Sequence, residues 1–372
     1  MTSTCSDNLY ISNELLFEIL TWSSLTRVDK CKALSKEVKD LIDDSWFLQN
    51  YCRKTNNVFG YFLQTFKDHR YVSTFVSVDP SINPNISLES LKDDLRILAS
   101  SNHGLLCCRR YDRDVRSYLY YVCKPCTRQT VLLPSPTKKL GQHIEQVALI
   151  VLKSNPLHYK VIRFSPDRHS PPECNSYASE IFDSKIWAWR TVDNFVTEFC
   201  TIFGNQQSIC IGDVAYWLSN KDTILAFDSA TETHSEFQLP KTITQIDGGG
   251  GVGYIIGKQI VEYKGKLGLT CRCIFRSPSS CNLLLVWVLE DRKRWEWRLE
   301  RVVRIDENER KLMGCSLADV ELMVGYETQV YEQGGFFFYS PPLHVFPFRS
   351  DFEPVNLEDG CMLSCLDDII QF

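Results

Sequence analysis

Ile224 to Pro240 reads ILAFDSATETHSEFQLP: an apolar strand, a polar turn, then a second strand carrying Phe237 and Leu239. Three other stretches have the same form: Tyr118 to Pro134 (YLYYVCKPCTRQTVLLP), Ser179 to Arg190 (SEIFDSKIWAWR) and Leu285 to Leu299 (LVWVLEDRKRWEWRL). β-branched and aromatic runs joined by a few polar residues are hairpin signals. Two of the units share a Trp-x-Trp-Arg ending, at Trp187, Trp189 and Arg190 and at Trp295, Trp297 and Arg298. With Thr127, Lys185, Thr231 and Arg292 as turn centres, the spacings are 58, 46 and 61 residues, near the roughly 50 of kelch-type propeller blades. Radial repetition fits this better than two stacked sheets. The expectation is a chain that is α+β but mainly β. From Tyr71 to the end it forms an antiparallel β-propeller, and helices are largely confined to the first 55 residues.

Working outward from the hairpins, the apolar period changes before Tyr71. Between Ser12 and Ile42 it is helical, with Leu15, Leu16, Ile19 and Leu20 on one segment and Val28, Cys31, Ser35, Val38, Leu41 and Ile42 on the next. Ser12 or Asn13 can cap the first helix, and Glu14 lies in its first turn, where the helix dipole favours an anion. Trp22 to Ser24 makes a short break. The domain reading is a helical unit over residues 8–55, a connecting segment over 56–70 and a propeller over 71–372. Two helices of this size cannot hide a Leu-rich face from water alone. Either that face packs on the chain's own second domain or another protein covers it.

Composition narrows the partner. The chain has 41 basic and 46 acidic residues, a net charge of -5, with no electrostatic footprint for nucleic acid or anionic lipid. No run approaches the roughly 18 apolar residues of a membrane span. The N-terminal stretch carries Asp7 and Glu14 where a signal peptide would need a basic start and an apolar middle. The expected compartment is the cytoplasm or nucleus. The 16 cysteines sit mostly alone inside apolar stretches and read as reduced core thiols.

Motifs that would carry chemistry fail on context. Gly248, Gly250 and Gly253 satisfy G-x-G-x-x-G, yet Tyr254, Ile255 and Ile256 continue as a strand where a dinucleotide site needs a helix. Gly257-Lys258 lacks the glycine a phosphate loop requires. Cys123 and Cys126, and Cys271 and Cys273, are not the two well-spaced pairs of a zinc ribbon. The histidines form neither H-E-x-x-H nor any part of a nucleophile elbow, and Asp93 and Asp94 read as solvated loop residues. Trp187, Trp189, Trp295 and Trp297 read as blade core, with a ligand pocket as the alternative. No catalytic, cofactor-binding or metal residue is assigned, and no cofactor is expected.

ELLFEIL at Glu14 to Leu20, CKALSKEVKDLI at Cys31 to Ile42 and WFL at Trp46 to Leu48 resemble the F-box motif of plant F-box proteins. GLLCC at Gly104 to Cys108, YYVCKPCTRQ at Tyr120 to Gln129, HYKVIRF at His158 to Phe164, EIFDSKIWAWR at Glu180 to Arg190 and VWVLEDRKRWEW at Val286 to Trp297 resemble the kelch-like F-box-associated propeller domain, in the family's order. The resemblance implies a non-catalytic substrate receptor of an SCF-type E3 ubiquitin ligase. Its F-box would bind a Skp-type adaptor and, through it, a cullin scaffold, while its propeller holds a target protein. It further implies adaptor contacts at Leu15, Leu16, Ile19, Leu20, Val28, Leu34, Ser35, Lys36, Leu41 and Ile42. Ser12 and Ser24 stand where the family usually has Pro, and Val38 where it has Trp. The alternative is therefore a propeller scaffold or decoy F-box protein that does not support ubiquitination; an enzyme acting on sugars would need convergent carboxylates, which the sequence does not show.

Overall fold

The structure, a computed structural model, describes residues 12–23, 28, 31, 33–42, 51, 58–67, 70–77, 86, 88, 94–137, 145–154, 156–167, 176–197, 207–240, 243, 253–263, 265–275, 281–305, 312–318, 322–327, 330–333, 336–339, 344–350 and 355–358. Helices α1 (Asn13–Thr21) and α2 (Lys36–Ile42) precede an all-antiparallel β region. Within that region the described helical structure is slight: a 3-10 turn, Pro125–Thr127, and helical backbone at Ile243.

Four four-stranded sheets follow one another in sequence. They are β3 to β6 (Arg96–Ser100, Leu106–Asp112, Ser117–Lys124, Gln129–Leu132), β7 to β10 (Gln146–Ser154, Leu157–Pro166, Ser176–Asp183, Ala188–Val196), β11 to β14 (Ile209–Ile211, Val214–Leu218, Thr223–Asp228, Thr233–Gln238) and β15 to β18 (Gly253–Tyr263, Lys266–Phe275, Cys281–Asp291, Glu296–Ile305). The fifth sheet joins the two ends of the region. β1 (Val58–Lys67) lies between β2 (Arg70–Ser77) and the last strand, β23 (His344–Ser350). Two hairpins, β19–β20 (Leu312–Ala318, Leu322–Glu327) and β21–β22 (Val330–Gln333, Phe336–Tyr339), come before β23. The first strand of each sheet touches that of the next: β23 lies beside β3, β3 beside β7, β7 beside β11, β11 beside β15 and β15 beside β19. This is the antiparallel propeller expected from the hairpin repeats, and it has five blades. The stretch 58–67, read in the sequence as part of a connection, is the central strand of the closing blade.

The four repeated units are the outermost hairpins of the four-stranded blades, and one local device shapes them. In the last three, an Asp closes the third strand and its Oδ1 accepts turn N–H groups: Asp183 from Lys185 (2.9 Å), Asp228 from Ala230 and Thr231 (3.0 and 3.1 Å), and Asp291 from Lys293 and Arg294 (2.7 and 3.2 Å). Such Asx turns recur because the carboxylate replaces a backbone acceptor. Trp187, Glu232 and Trp295 then take the left-handed conformation, at φ of 50°, 58° and 55°, which costs a non-Gly residue about 1 kcal/mol. In the β5–β6 hairpin Lys124 and Pro125 replace the Asp, and Arg128 is the left-handed residue (φ 55°).

The cost at these positions is offset by contact with neighbouring groups. Trp187 packs with Phe182 on a core built from the β3–β6 and β7–β10 blades. Glu232 pairs with Lys160 (2.9 Å) and Arg190 of the preceding blade. Trp295 stacks on Phe237, ring centroids 3.3 Å apart. Trp187 is thus a turn residue rather than a strand neighbour of Trp189, but both serve the same core, as Trp295 and Trp297 do in theirs.

A charged network also lies between the β3–β6 and β7–β10 blades. Arg163 donates to Glu180 (Nε, 2.9 Å), Glu145 (3.0 Å) and the Tyr120 hydroxyl (3.0 Å), while Arg109 pairs with Glu145 at 2.6 Å. All four charged side chains are buried. Two guanidinium and two carboxylate groups balance, which is the condition under which buried charge is tolerated. In the closing blade, a Cβ on Gly60 would lie 2.5 Å from the Phe75 ring, so the β1–β2 contact requires glycine there. Among the described residues no helix is long and apolar enough to cross a membrane.

Candidate functional site

The helical unit has its own core. Ser12 caps α1, its Oγ accepting the Leu15 N–H at 3.3 Å, and Ser35 caps α2 by accepting the Val38 N–H at 3.2 Å. Serine thus supplies the cap at position 12. Phe17, Leu20, Val28, Ile42 and Tyr51 close into one buried cluster, with Leu16, Cys31, Val38 and Leu41 packed around it. Tyr51 also donates its hydroxyl to the Ser23 carbonyl at 2.6 Å, fixing the turn that leaves α1.

The rest of α1 faces outward. Leu15 is 54% exposed, Ile19 48% and Trp22 87%; at about 100° per residue, positions i, i+4 and i+7 form one stripe. Leu34, before α2, is 74% exposed, and Ser35 and Lys36 are exposed beside it. The positions singled out in the sequence therefore divide. Leu15, Ile19, Leu34, Ser35 and Lys36 are open to a partner, and Leu16 and Leu41 are half-buried against the core. The side chains of Leu20, Val28 and Ile42 are closed inside it, so their part is to hold the helices together. Of the departures from the family pattern, Val38 is partly buried in this cluster and Ser24 lies outside the described residues. Trp22 was not singled out, although its place seven residues after Leu15 is readable.

The propeller's first strands enclose an axial channel of about 190 Å³. Its lining mixes Ser100, Asn102, Gln207 and Gln259 with Leu149 and Ile260. Two hydrogen bonds span it between non-adjacent blades: Asn102 donates to Glu262 at 2.6 Å, and Gln207 to the Val345 carbonyl at 2.5 Å.

The groups weighed for chemistry have structural surroundings. Cys123 is buried on β5, Cys126 lies in the 3-10 turn, and Cys271 and Cys273 are buried on β16. Burial pushes the Cys271 thiol up to about 12 and Cys273 to about 11, which keeps both protonated. Gly253 opens β15, a strand, and Gly248 to Gly251 lie outside the described residues, as does Asp93. Among the described residues no cluster of His, Cys, Asp and Glu could hold a metal ion.

Comparison with known proteins bears chiefly on the propeller. The model of the F-box associated beta propeller domain matches residues 61–334. F-box protein At5g41720 of Arabidopsis thaliana is 30% identical over 167 residues, 42% of this chain and 88% of that protein. F-box protein At5g49610 of the same organism is 28% identical over 180 residues, 46% of this chain and 49% of that protein. The β-propeller domain of the Trilobed protease from Pyrococcus furiosus aligns over 71% of this chain and 97% of that one, at 8% identity and a TM-score of 0.32.

Proposed function

We infer the function from the family: the chain belongs to the F-box-associated β-propeller family. In this reading it is the substrate receptor of an SCF-type ubiquitin ligase. The helical unit binds a Skp-type adaptor and through it a cullin scaffold, and the propeller presents a target protein. It acts in the cytoplasm or nucleus, in keeping with the free thiols of the eight cysteines whose side chains are described, and its own residues perform no bond chemistry.

One observation carries the adaptor half of this reading. The apolar stripe of Leu15 and Ile19, with Leu34, stays exposed on a unit that has already closed its own core. Exposed apolar groups gathered on one helix face mark an interaction surface, and anchors one turn apart suit a helix laid in a groove. The propeller half rests on a closed ring, a rigid support for loops that select a target.

The test is a pull-down of purified Arabidopsis Skp-type adaptor by the intact chain, by a Leu15→Asp and Ile19→Asp double variant, and by a chain starting at Asn56. Binding by the intact chain alone is expected. Full binding by the chain starting at Asn56 would refute the assignment, and no binding by the intact chain would favour the scaffold or decoy reading.

A further inference from the structure

We propose that Trp22 is an adaptor anchor that lengthens the F-box contact by about one turn past Ile19, to the C-cap of α1. The proposal rests on the adaptor reading above and adds to it the residue that closes the stripe.

Trp22 is the C-cap of α1, with φ -85° and ψ -2°, and its N–H bonds to the Ile19 carbonyl at 3.3 Å. The turn beyond it is held twice: the Ser23 N–H bonds to the Leu20 carbonyl at 3.0 Å, and the buried Tyr51 donates to the Ser23 carbonyl at 2.6 Å. The backbone that carries the indole is therefore fixed from inside the helical core, yet the side chain is 87% exposed. The C-cap lies in the ordinary right-handed region, where the backbone makes no demand on the side chain, so local structure gives no reason for the largest side chain at this place. Its exposure leaves on the order of 150–250 Å² of amphipathic surface in water.

Position decides the occupant. Trp22 continues the stripe of Leu15 and Ile19, and apolar anchors at i, i+4 and i+7 are the pattern by which one helix fills another protein's groove. Tryptophan is enriched among the residues that dominate interface affinity, more so when its backbone is preorganised. The same stripe cannot serve two proteins at once, so Trp22 belongs to whichever partner covers Leu15 and Ile19, here the Skp-type adaptor.

The experiment uses the full chain labelled with 5-fluorotryptophan, in which the Trp22 resonance is assigned by its loss in Trp22→Phe. Unlabelled purified adaptor is then titrated in, and affinities are measured for Trp22→Ala and Trp22→Phe. The expected result is a shift of the Trp22 resonance at saturation, an affinity loss of about tenfold or more for Trp22→Ala, a smaller loss for Trp22→Phe, and unchanged melting temperatures. A resonance that does not move, or a Trp22→Ala affinity within about twofold of the parent, overturns the proposal. If the unaltered chain binds no adaptor, the adaptor reading fails and this proposal with it. If Leu15→Asp abolishes binding and Trp22→Ala does not change it, the proposal on Trp22 alone fails.

Discussion

Arg163→Met tests whether the charged network between blades is structural. The guanidinium sits between Glu145 and Glu180, all three side chains at most 4% exposed, and lies over the Trp189 ring at 5.2 Å. Methionine keeps much of the aliphatic volume and removes the charge, so the blades retain packing while two buried carboxylates face one remaining guanidinium, that of Arg109. Breaking a buried pair by removing one partner costs about 3–5 kcal/mol, against about 0–1 for an exposed pair. The control is Arg190→Met, whose partner Glu232 is 24% exposed and also bound by Lys160. The assay is urea unfolding followed by tryptophan emission. In Arg163→Met the Glu180 carboxylate stays buried without its guanidinium partner, which is the costly way to break such a pair. Arg163→Met with Glu180→Gln should therefore recover most of the deficit. If Arg163→Met costs no more than Arg190→Met, or adding Glu180→Gln restores nothing, the network is not the structural clasp argued for here.

Leu20→Ala should destabilise the helical unit by about 2–5 kcal/mol in hydrogen exchange, while Leu15→Ala should change stability by about 0.5 kcal/mol or less and weaken adaptor binding. Burial holds His234 and His344 down at about 4, against about 6.5 when unfolded. They fold neutral, so their contribution is complete above about pH 6.5 and is lost as pH falls toward 4; urea midpoints at pH 7, 6 and 5 should fall in that order, and less steeply for His234→Phe, whose ring can keep the stack on Phe195. Asp228→Ala should cost about 1–2 kcal/mol in urea unfolding, since two turn N–H groups lose their acceptor, and Asp228→Asn should retain most of the stability. Phe346→Ala, at the seam between β1 and β23, should cost about 3–5 kcal/mol by the same assay and leave adaptor affinity unchanged.

What was legible in the sequence was local. The outer hairpins could be read because alternation, a polar turn and the following strand all fall within about fifteen residues, and in three of them an Asp sets the turn. The closing blade could not, because β23 pairs with β1 from the far end of the propeller, and the β1–β2 hairpin gives no local sign of that third strand. Nor could periodicity sort the two stripes of α1. Leu15 with Ile19 and Leu16 with Leu20 are equally apolar, and the choice is made by Val28, Ile42 and Tyr51, which gather on the Phe17 and Leu20 side. Trp22 fell in a segment read as a break, where no helical face is assigned. Trp187 looked like a strand residue because nothing in its identity signals a positive φ; what holds it there is a core that only the assembled blades provide.

The separation of cores has a consequence for how the two halves work together. The helical cluster is drawn from residues 16 to 51, and the propeller clusters from residue 62 onward. Sites that share no partner are energetically additive, so changes in the exposed stripe of α1 and changes in the propeller loops should combine without coupling. Covalent connection is another matter. The strand that follows the helical unit is β1, paired on one side with β2 and on the other with β23. The hook is thereby joined to the one blade whose strands come from both ends of the propeller, and opening that seam would release the support of the hook together with the ring. Gly60, Phe62, Phe75 and Phe346 at the seam therefore hold the ring and the segment that leads into it from the helical unit.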